Sequence, residues 1–191
     1  MKIKEINISE KLEEFKKLIH STEDDKEEDT CNYEKCGSCG GNCCRNMGCH
    51  ISPTDINGDI TVETISKLLD TGLVMLDWWE GDVKDHNEYH RVYYLHMRNI
   101  KTDPFKLLLG ISDFDEDELQ DIVYPSFGGK CILLTDKGCP LEYKHRPKGA
   151  RLLIPDICFT QEGLYTKEDS CEDWRQYWDI LNEVYNKYKA D

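Results

Sequence analysis

The stretch CGSCGGNCC, residues 36–44, packs four thiols into one loop. Such a loop has few fates: cross-linking, redox cycling, a catalytic nucleophile with neighbours, or closure around a metal. Cys31 and Cys49 flank it, so six of the ten cysteines fall between residues 31 and 49. Cys36 and Cys39 have the two-residue gap that lets two thiolates converge on one ion from a tight turn. Gly37, Gly40 and Gly41 leave the backbone free to make that turn. Cys43 follows at a compatible distance. Cys43 and Cys44 are adjacent, and strain opposes both serving the same ion, so the pattern leaves open which of them ligates.

A second group, Cys131, Cys139 and Cys158, lies far downstream. The segment KCILLTDKGCPL places Cys131 on a strand and Cys139 beyond a turn, so both can face one point. Taken singly, Cys131 and Cys158 also read as small buried hydrophobes. The redox compartment decides between metal and disulfide. The N-terminal residues MKIKEINISEKLEEFKKLIH contain no apolar core of a signal peptide. No window approaches the roughly 20 apolar residues of a membrane helix. The chain is therefore expected to be cytoplasmic, where thiols stay reduced and metal or redox chemistry is favoured over a disulfide framework. The predicted ligand set is Cys36, Cys39, Cys43, Cys44, Cys131, Cys139 and Cys158. Soft sulfur donors suit zinc and an iron–sulfur cluster alike. A formal charge of −14 argues against nucleic-acid partners and an anionic membrane surface; it indicates neither a protein partner nor a small-molecule substrate.

The chain of 191 residues is long enough for one domain with its own core. Residues 1–30 read as an N-terminal helix, capped by Ser9, that runs into the acidic linker EDDKEED; residues 31–191 read as the cysteine-cluster domain. In SPTD, Ser52 caps a short helix with Pro53 first and Asp55 in its first turn. A further helix starts near Val62, with Ile65, Leu68 and Leu69 periodic and Gly72 as its stop. LVMLDWW (73–79) and RVYYLHM (91–97) read as strands joined by a long polar loop, residues 80–90. A capped acidic helix is predicted from Ser112, a third strand over KCILLT (130–135), and an aromatic-striped helix from Ser170. The fold class is α+β: a small sheet with flanking helices and a Cys-rich metal-binding loop.

Other motifs are weaker. His86 and His90 have helical metal spacing but sit beside a strand, in a polar loop. His50 and His145 are placed for a supporting role around a metal. DFDEDELQD lacks the glycine and the final glutamate of a calcium loop. FGGK is too short for a phosphate loop and suits a turn into the Cys131 strand. In WWEGD, Trp78 and Trp79 face opposite ways, so one is core and the other is exposed or lines a pocket with Glu80 and Asp82. Arg146 and Arg151 can offset thiolate charge, bind an anion, or form a structural salt bridge.

CGSCGGNCC, ISPTD, KCILLTDKGCPL and HRPKGARLLIP together resemble the CxxCxxCC, or YkgJ-like, cysteine-cluster family of zinc- or iron-chelating domains. The resemblance covers Cys36 to Cys158 and rests on Cys36, Cys39, Cys43, Cys44, Asp55, Cys131, Cys139, Arg146 and Pro147. The gap from Cys39 to Cys43 is one residue longer than the usual pattern, and Ala150 stands where many members carry a cysteine. What the resemblance implies is metal chelation, with Cys158 as the replacement last ligand. A flagellin lysine methylase carries a related cluster, which implies an iron–sulfur-dependent redox or group-transfer (methyltransferase-like) enzyme as the alternative.

Overall fold

The structure, a computed structural model, describes residues 6–19, 44–45, 47–80, 91–101, 118–126, 128–153 and 165–189. The predicted acidic linker, the 81–90 connection, the start of the Ser112 helix and the thiols Cys31, Cys36, Cys39, Cys43 and Cys158 lie outside these residues.

Helix α1 (Ile8–Leu18) begins two residues earlier than expected. Asn7, not Ser9, is its cap, accepting the Glu10 N–H at 3.4 Å; asparagine caps as well as serine because its oxygen reaches the same orphan donors. Phe15 is buried, and the buried Ile19 sits past the helix end, bridging Ile56. The SPTD reading holds as a 3-10 turn, Pro53–Asp55. Ser52 Oγ accepts the Thr54 N–H at 3.3 Å, and Asp55 accepts the Ser52 N–H at 2.8 Å. Helix α2 (Val62–Asp70) is capped by Thr61, buries Ile65, Leu68 and Leu69, and stops ahead of Gly72.

The sheet is antiparallel. Strand β1 (His50–Ile51) pairs with one edge of β3 (Arg91–Met97), and β2 (Val74–Glu80) pairs with the other, from Val74 opposite Met97 to Glu80 opposite Arg91. A second ladder joins β4 (Asn99–Ile100) to β5 (Lys130–Cys131). The predicted strand over 130–135 is thus shorter: the Leu134 N–H turns back to the Cys131 carbonyl at 3.0 Å, and Thr135 pairs with Gly138 around the DKG turn. Where the predicted acidic helix enters the described residues it is extended. Leu119 bridges Ile100, and the Gln120 N–H donates to the Asn99 carbonyl at 3.0 Å, so the sheet edge claims that backbone.

The short helix α3 (Lys148–Arg151) packs on β1. The C-terminal stripe forms two helices rather than one, α4 (Lys167–Arg175) and α5 (Trp178–Lys189). The break has a packing cause. The Trp174 indole donates to the Ile51 carbonyl at 2.7 Å and the Trp178 indole to the Arg91 carbonyl at 2.8 Å, so the two tryptophans dock on different strands. The start of α4 is a capping box of Thr166 and Asp169.

Alternation along β2 and β3 sorts the two faces. Asp77, Tyr94 and His96 lie under α4, while Trp78 and Tyr93 meet Tyr185 of α5 at ring separations of 5.3 and 5.4 Å. The result is an α+β fold with a small antiparallel sheet and flanking helices. Among the described residues no helix is long and apolar enough to cross a membrane.

Candidate metal centre

Three consecutive residues, Met97, Arg98 and Asn99, bring distant thiols together. On one side the Met97 N–H donates to the Cys49 carbonyl at 2.9 Å, and Asn99 Oδ1 accepts the Gly48 N–H at 2.7 Å. On the other side Asn99 sits opposite Cys131 in the β4–β5 ladder, and the Ile132 N–H donates to the Arg98 carbonyl at 2.9 Å. The close approach requires glycine at 48, because a Cβ there would lie 2.0 Å from the Met97 carbonyl oxygen. Arg98 is buried and holds this stretch rigid, donating from Nε to Gln120 O at 2.6 Å and from Nη1 to Gly72 O at 3.3 Å.

Cys44, Cys49, Cys131 and Cys139 line one cavity of about 70 Å³ whose remaining wall is largely apolar, with Met97, Leu133 and Leu141 among its members. Cys139 reaches it because the chain reverses at Thr135–Gly138. Cys131 is buried, and the other three are partly buried against the core. Arg146 and Pro147 complete the wall; Arg146 is buried and its Nε donates to the Leu141 carbonyl at 3.0 Å. A guanidinium beside thiols favours the thiolate, the form that ligates metal.

Asp55 anchors the segment that follows Pro147. Its carboxylate accepts the Lys148 N–H at 2.9 and 3.0 Å and lies 3.2 Å from Arg151 Nη1. Arg151 is thereby a structural ion pair, one of the roles weighed for it. Lys148 Nζ and Tyr165 Oη converge on Asp173, which Ser52 Oγ also reaches at 3.1 Å. Gly149 presses on β1: a Cβ there would stand 2.6 Å from the His50 carbonyl oxygen. The segments KCILLTDKGCPL and HRPKGAR thus both line the cavity, and ISPTD is tied to the second of them through Asp55.

Sulfur donors in an apolar wall suit zinc or an iron–sulfur cluster, and oxygen-seeking cations poorly. Among the described residues no group of three or more His, Cys, Asp or Glu side chains stands close enough to hold a metal ion. Cys44, Cys131 and Cys139 of the predicted set share the cavity, whereas Cys36, Cys39, Cys43 and Cys158 lie outside the described residues.

The chain matches no family model, no curated protein and no solved structure.

Cys49 is the cavity thiol that the predicted ligand set omitted. Its sequence signal was only proximity to the cluster; pairing with Met97 is what turns it inward. His50 faces the other way, towards Tyr94 and His96 at ring separations of 5.5 and 6.1 Å. Burial pushes its imidazole down to about 3. His145 lies in the 3-10 turn Tyr143–His145, 3.8 Å from Glu142. Trp78 belongs to the core, and Trp79 is partly buried beneath Lys167 Nζ at 5.0 Å from its ring. Asp82, His86 and His90 lie outside the described residues.

Proposed function

We propose that this protein binds a metal, zinc or an iron–sulfur cluster, in the thiol-lined cavity, in the manner of the CxxCxxCC cysteine-cluster proteins it resembles. One observation carries this reading: Cys44, Cys131 and Cys139, separated by up to nearly half the chain, line the same mostly apolar cavity. With Cys36, Cys39, Cys43 and Cys158 they form the ligand set, and the metal joins the N-terminal loop to the core. Zinc supplies folding free energy at such a site, and an iron–sulfur cluster adds electron transfer. Arg146 offsets thiolate charge, and the Asp55 clamp holds the Arg146–Arg151 segment against β1. The formal charge of −14 supports a protein that works away from polyanions.

The test is anaerobic purification without a metal-affinity tag, followed by measurement of zinc, iron, acid-labile sulfide and the visible spectrum. Stoichiometric zinc without colour supports a structural site. Iron with sulfide and visible absorbance moves the iron–sulfur-dependent redox or group-transfer enzyme to the front. Protein that holds neither metal, with its thiols protected throughout, overturns the proposal.

A further inference from the structure

We draw no further inference here: the strongest candidate, the buried cluster of Asp77, Tyr94, His96 and His50 between the sheet and α4, has the hydrogen bonds of its first three members supplied by the chain itself, and what is left over, the lowered ionisation of His50, is a titration alone that points to no ligand.

Discussion

The two faces of the short sheet solve opposite problems. On the α4 side, Asp77 is fully buried yet meets four groups of the chain itself. Tyr94 Oη donates to Oδ2 at 2.5 Å, His96 Nε2 stands 3.3 Å from the same oxygen, and the Trp78 and Ser126 N–H groups donate to Oδ1 at 2.6 and 3.1 Å. Burial and the neighbouring carboxylate push the Tyr94 phenol upward, so it stays a donor. On the side reached by Cys49 and Met97, the same strands border a thiol-lined cavity. A buried polar group is stable when the protein supplies its partners; a ring of soft donors around an apolar space is stable when a metal does. One face is complete when the chain folds. Under the proposed function, a metal completes the thiol-lined end of the other.

Metal removal gives the largest contrast. Chelation under reducing conditions is expected to lower Tm by about 10 °C or more, because ligand binding to the native state adds directly to its stability. A thermal melt with and without chelator checks it; an unchanged midpoint makes the cavity side as self-sufficient as the other.

Asp77→Ala breaks the self-completed face. It removes the acceptor shared by Tyr94 and His96 and should cost about 3–5 kcal/mol in urea unfolding, while metal bound per folded chain stays as before. Coupled loss of metal would show that the faces are not independent.

Gly48→Ala attacks the cavity side without touching a thiol. The new Cβ meets backbone, 2.0 Å from Met97 O, so the strand must shift. The expected cost is about 1–3 kcal/mol, with faster metal loss than in Gly149→Ala, whose Cβ meets the His50 backbone instead.

The polar face should also carry an acid dependence. Burial, then the neighbouring His96 and Lys167, lowers His50 from its ordinary 6.5 to about 3. The unfolded chain then binds the proton first. Stability is full above pH 6.5, falls as pH drops towards 3 with a slope of about 1.4 kcal/mol per pH unit, and levels off below. His50→Gln should flatten that stretch of the urea-midpoint profile.

The smallest effect belongs to the exposed pair Lys101–Glu118 at the ladder edge, 2.9 Å apart. Glu118→Gln should change stability by less than about 0.5 kcal/mol, and a larger change would mean that the ladder edge carries more of the cavity wall than its exposure suggests.

Local structure was legible where one short pattern decides it. The Thr61–Gly72 helix, the Ser52 cap, the two long strands and the DKG turn follow from capping chemistry, apolar period and turn residues. The errors fall where distant backbone competes. Glu118–Asp121 reads as helix but is taken by the edge of β4, and the strand at 130–135 ends as soon as its N–H groups find a turn. The C-terminal stripe looks continuous but breaks because Trp174 and Trp178 are held by different strands.

For the candidate site the division is sharper. The sequence by itself determined the candidate donors, because thiol identity and the spacing of Cys36, Cys39, Cys43 and Cys44 are properties of the chain, as are the acidic charge and the α+β pattern. Only the tertiary structure decided which distant segments meet. Cys131 and Cys139 join Cys44 through a ladder two residues long and a turn, and Cys49 turns inward because its carbonyl pairs with Met97. Strand register is a long-range agreement between backbones, and a one-residue slip would send Cys49 to the other face. No spacing rule along the chain contains that information.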